Sequence, residues 1–328
     1  MALDLNNLTK YVDQISGKLI RQILLEGVTA KHVTVQPTVK YSEAINLLSN
    51  TIYLQAGTSG WNASGTTTLT QRNITVDPLK VNQSFELYGP NSIEQYWTGQ
   101  MMKAGSGVDG GTLPFEEVFT NYLTTQTQQE VEKLIWRGNY SVPSNNSLSG
   151  DSASVASGSL LNATGFLNIV TNTSASASTV NVTYSGAITS SNAITVVDTI
   201  VANIPTDILA QEDILIFCSP SAVQNYKLAI RNSNAYHYFV EDAGSTNTLT
   251  QKVPGFGNVT LIGTVGLAGS GRMVCSYASN FYIGTDLVSE IDPAVFKLFY
   301  AVEADQLRYN SRLKIGVQIA FPAHVVVY

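Results

Sequence analysis

His32, His237 and His324 are the only imidazoles in the chain. Grouped with Cys, Asp or Glu at short fixed spacings, they would make a zinc site, whose tetrahedral geometry needs such clustered ligands. They stand far apart and none belongs to such a set, so no metal is expected. Nucleophilic catalysis needs an activated Ser or Cys, and no G-x-S-x-G elbow is present. The two cysteines, Cys218 and Cys275, lie in the apolar runs Ile214–Cys218 and Met273–Cys275. A thiol in such a run reads as a small buried hydrophobe. Phosphate chemistry would use a glycine loop. Gly105–Gly111 is followed by Leu113-Pro-Phe rather than the Lys-Ser/Thr a P-loop requires. Gly255-Phe-Gly257 and Gly263–Gly271 lack the strand–glycine–helix setting of a dinucleotide site and read as turns.

Carboxylate pairs are the remaining source of acid–base chemistry. Glu116-Glu117 falls in the first turn of a long helix, where negative charge favours the helix dipole. Glu212-Asp213 precedes a buried strand. Glu303 and Asp305 lie beside Arg308 and Arg312 and read as ion-pair partners, within or between subunits. No catalytic residue and no cofactor emerge, and an enzyme is not expected.

The elements that would position these groups are mixed α and β. Residues 4–26 read as an amphipathic helix, capped by Asp4 and closed by Gly27, with Leu8, Val12, Ile15, Leu19 and Ile23 on one face. Thr51–Gln55, Thr66–Thr70 and Arg72–Val76 read as strands around the glycine-rich tip Ala56–Gly65, with Leu79–Val81 closing a long β-hairpin over 32–87. A two-stranded ribbon alone is marginal in water, so this one is best explained by lying across a neighbour. Trp61, among the tip glycines, either folds back on its own ribbon or anchors in another molecule. A short helix is read at Asn91–Gln100. Pro114 opens a helix that stops at Gly138, about 36 Å long at 1.5 Å per residue. Residues 141–159 read as a Ser/Asn/Gly-rich linker. From Gly165 onward the pattern is α/β, with a strand at Ile214–Cys218 and a helix at Ala222–Asn232. The last strands are Val295–Val302 and Arg312–Phe321 around a polar turn, Glu303–Ser311.

The chain has 328 residues, of which 44% are hydrophobic and 13% charged, with a net charge of −6. That charged share is about half the usual one: either much of the surface is buried against other copies, or the protein lives outside a cytosol-like solubility regime, and the depletion of charge at interface cores fits the first. No run of Lys or Arg forms a basic stripe, so a sequence-specific DNA-binding module is excluded. A container for nucleic acid is not. The first helix is amphipathic and carries Asp4, Lys10, Asp13 and Lys18, so no signal peptide is expected, and no apolar run is long enough to span a membrane.

The order of these elements resembles the Hong-Kong-97-type capsid fold of tailed bacteriophages, an α+β fold. Short stretches carry the likeness: Gln55-Ala-Gly-Thr-Ser-Gly-Trp61 with Thr70-Gln-Arg72, Leu79-Lys-Val-Asn82 with Gln95-Tyr-Trp97, and Ile315-Gly-Val-Gln318. They look most similar to major capsid proteins of phages that infect Bacteroidetes. The resemblance implies an N-terminal arm (1–31), an extended hairpin loop (32–87), a peripheral domain (88–159 and 286–328) with a spine helix (114–138), and an axial domain (160–285).

It further implies a virion protein assembled in the host bacterial cytoplasm as hexamers and pentamers. These would enclose double-stranded DNA without sequence-specific binding and without a membrane. Because only residues 1–31 precede the hairpin, scaffolding is expected from a separate protein; portal and decoration proteins are further partners. The tip Thr58–Thr68 holds no lysine, so no covalent cross-link is expected there. Inter-subunit contacts are expected from Gly57, Gly60, Trp61, Gly65 and Arg72 in the hairpin, and from Glu303, Asp305, Arg308 and Arg312. An encapsulin-type compartment, or another phage structural protein such as a tail or adhesin module, is the alternative.

Overall fold

The structure is a computed structural model. It describes residues 5–57, 59–61, 63–87, 92–93, 95, 115–140, 157–172, 178–182, 186–210, 213–233, 249–286 and 296–328. Most of the expected helix at 91–100, the glycine loop at 105–111 and most of the linker at 141–159 lie outside these residues.

In chain order the elements are α1 (Leu5–Leu25), β1 (Thr34–Gln36), β2 (Ser42–Thr51), β3 (Thr66–Thr75), β4 (Asp77–Glu86), α2 (Phe115–Arg137) and α3 (Phe166–Asn172). Then follow β5 (Val180–Asn181), α4 (Ala193–Ala202), α5 (Thr206–Leu209), β6 (Ile214–Cys218), α6 (Pro220–Asn232), β7 (Thr250–Val253), β8 (Phe256–Gly263) and β9 (Val274–Tyr277). The chain closes with β10 (Phe281–Thr285), β11 (Phe296–Ala301), β12 (Gln306–Ile319) and β13 (Val326–Val327).

These strands make a five-stranded sheet ordered β1-β10-β12-β11 with β4 also on β12, a six-stranded sheet ordered β5-β13-β9-β6-β8-β7, and the two-stranded ribbon β2-β3. The longest strand, β12, organises the first sheet. Its residues alternate strictly: Leu307, Tyr309, Leu313, Ile315, Val317 and Ile319 are buried. Helices α1 and α2 cover that inner face, with α1 packed on both β11 and α2. Apolar side chains recurring every second residue against an amphipathic helix are what a one-sided sheet needs. Three expectations change here. Gln306–Ser311 is strand rather than turn, because its polar residues occupy the outward positions of an alternating pattern. Leu79–Val81 belongs to β4, paired with β12 through Arg312↔Lys80 and Leu313↔Leu79, so the paired ribbon runs only from Ser42 to Thr75. The strand expected at Thr51–Gln55 ends at Thr51.

The second core lies between the six-stranded sheet and helices α4 and α6. It holds Val197, Ile200, Ile216, Val223, Tyr226 and Leu261, all under a twentieth exposed. Ser219 caps α6 by accepting from Ala222 N, with Pro220 in the first turn. Cys218 and Cys275 are free thiols in this core, and burial pushes the Cys218 thiol up to about 12.

A buried polar knot joins the arm, the long helix and the six-stranded sheet. The Glu132 carboxylate, on α2, accepts from Thr29 N at 2.7 Å, Thr29 Oγ1 at 3.1 Å and the Thr264 hydroxyl. Trp136 Nε1 donates to Thr29 Oγ1 at 2.7 Å. The Trp136 ring packs on Phe166, Phe217 and Phe281. Hydrogen bonds to a carboxylate are the strong kind, and here they close a gap between three segments distant in sequence.

Candidate assembly surfaces

Among the described residues the ribbon β2-β3 is anchored at its root. Gly284 and Gly316 are cross-strand partners in the five-stranded sheet. A Cβ on Gly316 would lie 1.9 Å from Thr75 O, and one on Gly284 would lie 2.8 Å from Ile74 Cδ1. The two glycines therefore make a flat seat on which the ribbon rests. Arg72 Nη1 donates to Ile319 O at 2.9 Å and Gln318 Nε2 to Asn73 O at 2.7 Å, pinning the root. Val39, Ile45, Leu47, Ile74 and Val76 fill a small core there with Ala320.

Beyond the root none of the described residues covers the ribbon. One face carries Leu48 opposite Leu69, 62% and 79% exposed, between polar cross-strand pairs such as Asn46–Gln71 and Asn50–Thr67. At the free end Leu54 is fully exposed and Trp61 is 95% exposed, beside open Ile52 and Tyr53. From Ala44 to Gln71 there is no Asp, Glu, Lys, Arg or His. Single exposed apolar residues need no explanation, but an uncharged protruding ribbon with six of them marks an interaction surface.

The expected contact residues fall into two groups. Gly57, Gly60, Trp61 and Gly65 gather at the ribbon's free end. Trp61, almost fully exposed, is not packed against its own ribbon. Gly65 has a positive φ, and a Cβ there would meet Thr51 O at 2.3 Å, so the return turn requires glycine. Gly60 also has a positive φ, whereas nothing crowds Gly57. Arg72 belongs to the root, where burial lowers its guanidinium pKa from the ordinary value while its hydrogen bond stays within the chain.

The second group surrounds the β11–β12 turn. Arg308 Nη1 lies 3.0 Å from Glu303 Oε1, and Asp305, with φ of 50°, accepts from the Tyr300 hydroxyl. Two of the expected inter-subunit acids are thus engaged inside the subunit, bracing a turn whose apex is exposed Val302. Arg312 has no ion-pair partner among the described residues. Leu48, Leu69, Ile52, Tyr53 and Leu54 were not singled out from the sequence. The signal for them lay in the uncharged run 44–71 combined with the cross-strand register, which places Leu48 against Leu69.

Among the described residues no group of three or more His, Cys, Asp and Glu is placed to hold a metal. No helix among them is long and apolar enough to cross a membrane.

No family model and no curated protein matches this sequence. Solved structures do match over nearly the whole chain. A structure of the satellite phage P4 procapsid including size determination (Sid) protein aligns over 95% of this chain and 89% of that one, at 11% identity and a TM-score of 0.55. The capsid of Ralstonia phage GP4 aligns over 90% of this chain and 86% of that one, at 9% identity and a TM-score of 0.51. The fold is the Hong-Kong-97-type phage capsid fold. At these identities the likeness concerns the fold alone, and within the capsid fold the bare ribbon and the braced turn belong to this chain's own geometry.

Proposed function

We propose that this chain is the major capsid protein of a tailed phage, a shell subunit rather than an enzyme. Copies associate as hexamers and pentamers, close an icosahedral shell and enclose double-stranded DNA without reading its sequence. In this reading residues 1–31 are the arm, the ribbon is the extended loop, 88–159 with 286–328 form the peripheral domain, and 160–285 form the axial domain. The observation that carries it is the ribbon. It displays Leu48, Leu69, Ile52, Tyr53, Leu54 and Trp61 without a charge between Ala44 and Gln71, a surface that only burial against another molecule explains. The capsid fold supports the choice of partner: another copy of the same chain. Apolar contact then replaces covalent linkage at the tip, which has no lysine between Thr58 and Thr68. Scaffolding, portal and decoration proteins are separate chains, and assembly takes place in the host cytoplasm.

Negative-stain microscopy of the purified protein at high concentration tests this. Uniform closed shells are expected, and particles recovered from an infection should protect DNA from nuclease. A protein that stays monodisperse and small, or shells filled with enzyme instead of DNA, would contradict the reading.

A further inference from the structure

The outward face of the five-stranded sheet has a feature that neither the ribbon nor the fold accounts for. Three strands contribute to it in register. Lys80 on β4 stands directly opposite Arg312 on β12. In the next outward row Asn82, Asn310 and Lys297 lie side by side across β4, β12 and β11, and in the row after it Ser84, Arg308 and Phe299 do so. Rows repeat about every 6.8 Å along a strand and strands lie about 4.8 Å apart. Four cations therefore ring an amide pair, in which Asn310 Nδ2 donates to Asn82 Oδ1. A depression of about 610 Å³ opens here, lined by Asn82, Lys297, Phe299, Arg308, Asn310 and Arg312 among others.

Like charges directly opposite on a sheet repel. In a chain with only 18 Lys and Arg against 24 Asp and Glu, placing Lys80 against Arg312 is costly unless an anion sits between them. Lys80, Lys297 and Arg312 have no ion-pair partner among the described residues, whereas Arg308 is held in place by Glu303.

We propose that this cradle is a docking site for an acidic, extended peptide segment of a protein partner, whose carboxylates are held by Lys80, Arg312 and Lys297. Arg–carboxylate pairing is geometrically favoured and already occurs here at Arg308. The floor amides supply further donors, and Phe299 offers an apolar contact. A DNA duplex fits less well. It presents a phosphate about every 1.7 Å and needs a continuous basic stripe. This patch is closed instead, with Glu86 opposite Gln306 in the following row and Glu303 beside Arg308. The inference stands apart from the shell reading, since it concerns a site complete within one subunit.

The test is fluorescence anisotropy of the full chain with two labelled probes, a hexaglutamate peptide and a 20-base-pair DNA duplex. The peptide is expected to bind in a salt-sensitive way and to lose at least tenfold in affinity in the double variant Lys80→Gln/Arg312→Gln. Both side chains are exposed and have no ion-pair partner among the described residues, so the variant is expected to fold. Its melting temperature should rise slightly, because the repulsion between the two cations is gone. No peptide binding to the wild type, or binding unchanged in the variant, overturns the proposal. Duplex binding that is tighter than peptide binding and lost in the variant also overturns it, and reassigns the cradle to nucleic acid.

Discussion

The knot around Glu132 and the outer ribbon are built on opposite principles. At the knot the carboxylate and the Trp136 indole find their hydrogen-bond partners inside the same chain, and the surrounding aromatic rings are buried to the last atom. On the ribbon the polar pairs satisfy one another across the strands while the apolar residues are exposed. The first arrangement makes a subunit stable by itself. The second contributes almost nothing to the lone subunit and makes sense only when a second molecule arrives. A chain can thus be self-sufficient where three of its segments meet and, in the proposed reading, incomplete where it meets its copies.

Ranked by their cost to the unassembled subunit, substitutions should separate the two regions. Trp136→Ala removes a fully buried ring together with its hydrogen bond, and should cost about 3–5 kcal/mol in chemical denaturation. Glu132→Ala strands the Thr29 amide and the Thr29 and Thr264 hydroxyls, at about 2–3 kcal/mol. If either change proves neutral, the knot does not hold the arm to the long helix.

A smaller effect follows from His32, whose pKa is lowered from its ordinary 6.5 by burial and by Lys31, with Glu132 opposing. A depressed folded-state pKa means the folded protein binds this proton less readily than the unfolded chain does. Stability from this group is therefore present above pH 6.5 and lost as pH falls through the lowered value. Melting temperature should decline as pH falls from 6.5 through the lowered value, and His32→Gln should remove this part of the decline. The smallest effect on the subunit belongs to the ribbon. Leu48→Asp with Leu69→Lys, opposite charges on directly paired positions, should leave unfolding within about 0.5 kcal/mol of wild type, as surface changes do, yet abolish particles in light scattering. A large loss of subunit stability in that variant would erase the contrast between the regions.

Much of the architecture was legible in the sequence because it follows from periodicity. The arm helix, the long helix and the strand Ile214–Cys218 show patterns of apolar spacing that allow few readings. The segment Gln306–Ser311 misled because Arg308 and Asn310 look like turn residues until Leu307 and Tyr309 are recognised as the inward half of an alternation. The expected contact residues were chosen by type, and their places come from the fold. Trp61 announced itself by standing among glycines. Arg72, Glu303 and Asp305 are satisfied within the chain, through partners such as Ile319 O and the Tyr300 hydroxyl that are brought close only by the fold. Leu48 and Leu69, twenty-one positions apart, become one patch only through strand register. Sequence spacing carries no trace of that.

The claim that the ribbon is completed by another copy is tested most directly by amide hydrogen exchange on residues 44–71, compared between assembled particles and unassembled subunits. Exchange should slow at least tenfold on assembly around Leu48, Leu69 and the tip, while the buried core of the six-stranded sheet stays equally protected in both. Equal exchange of the ribbon in both states would mean that nothing covers it, and would contradict the account.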